Sequence, residues 1–324
     1  MTKQETVQLI EIPKPLDQLT ATELERKACI GKIMTHTLKS LTNTFVSKGF
    51  EWLLPVALSQ STDPLWPDPG ASIEKRIELD IYGKPVRTTA SMIIHKLVAS
   101  STVYPKLFIL SPNIRIEKAE RAKTGKHIYE FTQLDFEIVG AGSKDVFALV
   151  EDAICILVKD LKRDMKSELT TLCRCTKLKV PKAPFKVLDR ADLEAKYGAD
   201  WEAAISKEIT EPVWITNIPR EFYDYEDFKT GKWDNYDLFM PQFGEVLSGA
   251  KREYEYSKML LKLERDQVKK DNFAVVLKMA KEGRLKSTAG AGIGLERLVG
   301  WIAGVKHIAE CQPFPRVPGT VNEL

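Results

Sequence analysis

Asn113-Ile114-Arg115-Ile116-Glu117 and, beyond a charged connection, Glu130-Phe131-Thr132-Gln133-Leu134-Asp135-Phe136-Glu137 decide how this chain is read. In the second stretch Phe131, Gln133, Asp135 and Glu137 alternate with Leu134, Phe136 and Ile138, the period of two that marks a strand. In the first, Arg115 and Glu117 alternate with Ile114 and Ile116. Two strands are therefore expected, Leu107 to Glu117 and Ile128 to Val139, joined by the charged segment Lys118 to His127. A sheet of this pattern has one face on a core and the other toward solvent or a ligand. An arginine there can clamp a phosphate bidentately, and an aromatic ring beside it can stack on a base. As pattern alone, a solvated face with cross-strand ion pairs explains the same residues equally well.

Outward from this pair the chain mixes helices and strands without regular alternation. A helix is expected after an N-terminal arm of residues 1–19. Thr22 and Glu25 have the spacing of a capping box, and Leu24, Ala28, Met34, Leu38, Leu41 and Phe45 recur at helical intervals. Lys48 and Gly49 close it, and Phe50 to Leu54 reads as a strand stopped by Pro55. Residues 61–75, rich in Pro, Asp, Ser and Gly, read as loop. Asp145 to Asp164 is an amphipathic helix. Residues 167–211 are less regular and read as a variable insertion. Val213 to Ile218, Tyr236 to Met240 and Glu245 to Leu247 are strand candidates, and Tyr254 to Lys269 and Asn272 to Glu282 helix candidates. Thr288 to Gly294 reads as a glycine-rich strand entering a helix, Leu295 to Ala303. The expectation is an α+β fold, a mostly antiparallel sheet flanked by helices.

Composition narrows the class. The 324 residues are 44% hydrophobic and 29% charged, enough apolar material for a large core, so global disorder is excluded. No apolar run approaches the roughly 20 residues of a membrane span, and the polar N-terminus has no signal-peptide core. The five scattered cysteines suit thiols in a reducing cytoplasm. A net charge of +3 is too small a bias to imply nucleic-acid binding.

Two further constellations could carry chemistry. Gly290-Ala291-Gly292-Ile293-Gly294-Leu295-Glu296-Arg297 departs from the dinucleotide fingerprint, because its third glycine comes one position early. Its glycines still permit close approach of a ligand, or serve only tight helix–sheet packing. Asp237 and Glu245 are two carboxylates that could hold Mg²⁺ beside phosphate oxygens, or be ordinary surface acids.

These stretches together resemble the class II aminoacyl-tRNA synthetases. The helix, strand and Pro55 resemble their motif 1, Asn113 to Glu137 their motif 2, and Gly290 to Leu298 their motif 3. Tyr236-Asp237-Leu238, Gly244-Glu245-Val246 and Gly249-Ala250-Lys251-Arg252 resemble the aspartate/asparagine branch, and residues 20–324 are read as its catalytic domain. The resemblance implies that Arg115 contacts the ATP α-phosphate, Glu117 reads the adenine amino group, and Phe131 stacks under the ring. It implies His127 and Arg297 on the outer phosphates, with Asp237 and Glu245 holding Mg²⁺. Lys96 and Arg252 would hold a substrate carboxylate, with Asp135 orienting Lys96. Ser91 and Asp63 would lie near the substrate amino group, although Ala90 and Ile93 replace the family's glutamines around that serine.

Branch members carry an N-terminal OB barrel for the anticodon, and five strands do not fit before the motif 1 helix. The expectation is therefore a catalytic core for which tRNA is an unlikely partner. Thr62 to Pro69, Leu110 to Asn113 and Ile218 to Tyr223 are similar to the archaeal asparagine synthetases related to asparaginyl-tRNA synthetase. That similarity implies a cytoplasmic homodimeric ligase of asparagine biosynthesis. It would activate the β-carboxylate of aspartate with ATP and amidate it with ammonia, releasing AMP and pyrophosphate. The rivals are transfer of an activated amino acid to tRNA or another acceptor, and a non-catalytic regulator.

Overall fold

A computed structural model describes residues 10–61 and 73–323, with Asn272 as backbone only. Helix α1 (Ala21–Ser47) starts at Thr20, whose hydroxyl accepts from the Glu23 N–H while the Glu23 carboxylate accepts from the Thr20 N–H. The capping box is thus two residues earlier than expected. Thr20 and Thr22 both carry a glutamate three positions on, and the earlier box leaves Thr22 inside the first turn. The buried stripe shifts with it: Ile30, Ile33, Leu41 and Phe45 are buried, whereas Leu24 is exposed. Gly49, at φ +82°, ends the element as glycine should.

The centre is an eight-stranded sheet. In chain order its strands are β1 (Glu51–Leu53), β2 (Lys106–Ile114), β3 (Glu130–Val139), β4 (Lys186–Asp189), β5 (Val213–Thr216), β6 (Asn235–Met240), β7 (Gly244–Lys251) and β8 (Thr288–Gly294). In space they run β1-β2-β3-β8-β7-β6-β5-β4. The inner pairings are antiparallel, and only the edge pairs β1–β2 and β4–β5 are parallel. The α+β architecture is as expected. The segment read as an insertion supplies edge strand β4 and two short helices, Arg190–Tyr197 and Trp201–Glu208. The expected first strand breaks at Ile114, and Ile116–Glu117 pairs instead with Ile73–Lys75, the end of the stretch read as loop. A small sheet of Leu58–Ser59, Glu78–Ile81 and Lys84–Thr88 was not anticipated.

The alternation of β3 sorts the sheet into two faces. Leu134 and Phe136 lie in the main core with Phe45, Phe50 and Phe108, where the Phe45 ring is 5.0 Å from Phe50 and 5.1 Å from Phe136. Helices α1, Ser143–Asp164 and Leu295–Ala303 cover that face. Burying side chains of this size contributes roughly 1.5–3 kcal/mol each, which pins the register. On the other face a second core forms where the helix Ile93–Thr102 meets Tyr256–Arg265 and Ala274–Lys281. Between this core and the sheet a cavity remains. Among the described residues no helix is long and apolar enough to cross a membrane, and all five cysteines are free thiols.

Candidate active site

The cavity of about 290 Å³ is floored by the strands just described. Its floor is low because β8 turns glycines toward it. Gly290 lies opposite Glu137 and Gly292 opposite Asp135, while Ala289 and Ala291 pack into the core. A Cβ on Gly290 would sit 2.1 Å from the Phe136 carbonyl oxygen, and one on Gly292 would sit 2.9 Å from Asp135 Oδ1. The glycines therefore make room on the pocket side, and alanines serve the packing side.

At the deep end, charges interlock under cover. Lys96 is 1% exposed and donates from Nζ to Asp135 Oδ1 (3.0 Å), the Phe136 carbonyl (3.2 Å) and the Ala291 carbonyl (3.4 Å). Its three protons are thus all engaged. Glu137 Oε2 also lies 3.4 Å from the ammonium. Arg252 donates to Glu137 Oε1 (3.3 Å), Asp224 Oδ1 (2.7 Å) and the Gly290 carbonyl (3.2 Å). Asp135 Oδ2 is buried with no hydrogen-bond partner among the described residues. Ser91 lines the same end, its Oγ accepting from the Ile93 N–H at the start of a helix. Asp63 lies outside the described residues.

The outer end is richer in cations and more open. Arg115 sits with its guanidinium carbon 5.1 Å from the centroid of the Phe131 ring and donates from Nε to the Ala90 carbonyl. Glu117 is buried at the cavity wall. Arg297, in the first turn of the helix after β8, reaches Glu245 Oε1 (3.1 Å) and the carbonyl of Lys126 (3.3 Å). Burial and then Arg297 pull the Lys126 ammonium below its usual range. Burial, followed by Arg297, Arg121 and Lys126, pushes the His127 imidazole down to about 3. His127 is therefore neutral at ordinary pH. Arg121 can only donate, so Nε2 (2.9 Å) accepts from it, and Nδ1 carries the proton toward the Thr124 hydroxyl (2.6 Å).

Asp237 and Glu245 come to one face because the β6–β7 register slips between Leu238 and Phe239, setting Glu245 opposite Phe239. Asp237 pairs with Arg220, and its Oδ1 is buried without a partner among the described residues. Burial, reinforced by Glu245 and opposed by Arg220, raises the Asp237 carboxyl to about 7. An orphaned carboxylate oxygen beside a second carboxylate fits Mg²⁺, a hard cation that takes few protein oxygens and completes its shell with phosphate and water.

The structure brings Lys96, Arg115, Glu117, His127, Phe131, Asp135, Glu245, Arg252, Arg297 and Ser91 to one cavity wall. Asp237 lies just behind them. Glu137, Asp224, Arg220, Lys126 and Glu296 also belong to the site and were not assigned from sequence. Glu137 was within reach of the alternation that selected Asp135. Arg220 and Asp224 sit in an irregular segment with no period to follow.

Comparison with known proteins gives the family and the fold. The family of class II tRNA synthetases (D, K and N) matches residues 32–318. The chain belongs to that family, whose members are ligases that activate amino acids with ATP. It is 28% identical over 321 residues to the asparagine–tRNA ligase of Koribacter versatilis, covering 90% of this chain and 69% of that protein. It is 25% identical to the asparagine–tRNA ligase of Thermoplasma acidophilum, covering 88% and 68%. Its fold is that of the Pyrococcus horikoshii asparaginyl-tRNA synthetase solved with asparaginyl-adenylate, with a TM-score of 0.80, 21% identity and coverage of 96% and 76%. These names back transfer to tRNA better than they back the expected amide synthesis.

Proposed function

We propose that this cavity converts aspartate to a mixed anhydride with AMP, and that ammonia then takes the acyl group to give asparagine. The observation that carries the reading is the division of one cavity into a cation-rich phosphate end and a closed end with Lys96 and Arg252. A diacid fits that division. One carboxylate stays near Arg252, whose guanidinium has two N–H groups beyond the three hydrogen bonds described above. The other faces the phosphates. Asparagine, the amino acid of the adenylate bound to the P. horikoshii enzyme, would set an amide rather than a carboxylate beside Arg252.

The chemistry follows from the leaving groups. A carboxylate is a poor electrophile, so its oxygen attacks the α-phosphorus in line and pyrophosphate departs. Ammonia nitrogen then attacks the acyl carbon, the carbon–oxygen bond to AMP breaks, and a proton is lost from nitrogen. Arg115 meets the charge that grows on the α-phosphoryl oxygens, and Arg297 with Lys126 steadies the departing pyrophosphate. Phe131 offers its ring to the base, and Glu117 its carboxylate to the exocyclic amine. Neutral His127 adds no charge of its own; its Nε2 accepts from Arg121 and so orients that guanidinium beside the outer phosphates. Asp237 and Glu245 would hold Mg²⁺, which supplies charge neutralisation along the phosphates. Much of the acceleration is positioning.

A second reading keeps the adenylate and changes the acceptor to tRNA. The names of both curated relatives support it. Magnesium, ATP, labelled aspartate and ammonium chloride, incubated with and without tRNA, separate the two. Free asparagine and AMP formed equally with and without tRNA are expected. Label in acid-precipitable RNA without free asparagine overturns the amide reading and keeps the adenylate. A second copy is proposed at edge strand β1, where Trp52 and Leu54 are exposed at 51% and 89%.

A further inference from the structure

Building on that reading, we infer that the deep end of the cavity is a subsite for a primary ammonium group, and that Asp135 Oδ2 receives the α-ammonium of aspartate. The charges there do not cancel. Lys96 and Arg252 face three carboxylates, those of Asp135, Glu137 and Asp224. The neighbouring cations add no surplus, because Arg220 pairs with Asp237 and Lys262 with Glu253. A bare carboxylate entering this end would deepen an existing negative excess. The head of an α-amino acid brings its own cation and does not.

The geometry names the acceptor. Asp135 is 3% exposed, lines the cavity and spends Oδ1 on Lys96, which leaves Oδ2 buried and without a partner among the described residues. A buried carboxylate oxygen without a partner is costly, and an ammonium hydrogen removes that cost. Arg252 lies alongside for the α-carboxylate, which is carried on the same carbon as the ammonium. The arrangement also fixes which carboxylate reacts. With the α-head seated at Asp135 and Arg252, the β-carboxylate is the one left to face the phosphates. Seated the other way, aspartate would hold its α-ammonium one carbon further from the carboxylate at Arg252.

The test crosses a substitution with a substrate deletion. Calorimetry gives Kd for aspartate and for succinate, which lacks the ammonium, on the wild-type chain and on Asp135→Asn. Wild type is expected to prefer aspartate by at least about 30-fold, and Asp135→Asn to cut that preference to a few-fold. Equal losses for both acids overturn the subsite and leave Asp135 as a support for Lys96. Should Asp135→Asn not fold, the wild-type chain still decides. Asparagine, with its α-head intact, is expected to bind within about tenfold of aspartate, and isoasparagine, with its α-carboxylate amidated, at least about 30-fold more weakly. The reverse order overturns the orientation. Free ammonium chloride added with succinate shows whether the loose ion fills the same place; restoration of binding to the aspartate level overturns the assignment to the α-ammonium. These are equilibrium measurements, so absence of turnover would count against the proposed reaction alone.

Discussion

The two ends of the cavity hold their charges differently. At the deep end Lys96, Arg252, Asp135, Glu137 and Asp224 are all at most 5% exposed, and each contacts a partner of opposite sign. At the outer end Arg297 and Glu245 pair at 3.1 Å with side chains exposed at 24% and 33%, so the charges there are more open to water. Buried pairs break at high cost, because the survivor is left charged in a poor solvent. Exposed cations are screened and replaceable, but they act on charge that develops during reaction. The deep end should therefore govern which substrate binds, and the outer end how fast it reacts.

Arg252→Leu should be the largest disturbance. It takes the cation from Asp224, leaves Glu137 only Lys96 and Thr288, and removes the proposed partner of the substrate carboxylate, so aspartate affinity is expected to fall by about 3–5 kcal/mol in a calorimetric titration, with a lower Tm. Near-normal affinity would dissolve the distinction between the two ends. Arg297→Ala should act in the opposite way, with aspartate Kd unchanged and the rate of aspartate-dependent ATP–pyrophosphate exchange down roughly 10²-fold. A matching fall in affinity would show that the outer end also selects substrate.

Glu296 lies between the ends and sharpens the comparison through pH. Its carboxylate accepts from the Thr132 N–H, yet burial raises it to about 7 from an ordinary 4.5. The folded chain therefore holds a proton that the unfolded chain loses. Between pH ~4.5 and ~7 the folded state binds more protons, so this group's contribution is full below that window and declines as pH rises through it. The span is on the order of 3 kcal/mol. Glu296→Gln should flatten the fall in thermal stability across that window, and an unchanged slope would assign it elsewhere.

The same contrast explains what the sequence disclosed. The sheet face was legible in Glu130 to Glu137 because a strand's period of two separates core from pocket residue by residue. Thr288–Gly294 and Leu295–Ala303 were read at their observed limits, since the change from glycine alternation to an apolar stripe is abrupt. Strand β4 was missed because Lys186-Val187-Leu188-Asp189 is an edge, with Val187 half-exposed and little alternation to detect. The hairpin of Glu78–Ile81 and Lys84–Thr88 did carry a signal, Tyr82-Gly83, both at positive φ as a tight turn requires. The outer-end residues could be picked out by motif. The deep end could not be completed, because Asp224 and Arg220 come from an irregular segment that only tertiary structure brings to the floor.

His127→Asn should be the smallest change, and it bears on how the outer end works. If that end attracted phosphate by charge alone, a histidine there would add to it only when protonated. The burial and cations that drive its pKa to about 3 keep it neutral from pH 5 to 8. Asparagine keeps a neutral hydrogen-bonding side chain, so adenylate formation should fall by no more than about tenfold, the worth of one neutral hydrogen bond. Over that range the ratio of wild-type to variant rates should stay flat. A ratio that climbs below pH 6.5 would mean that ATP binding recharges the imidazole, and that the phosphates themselves set the protonation of this end.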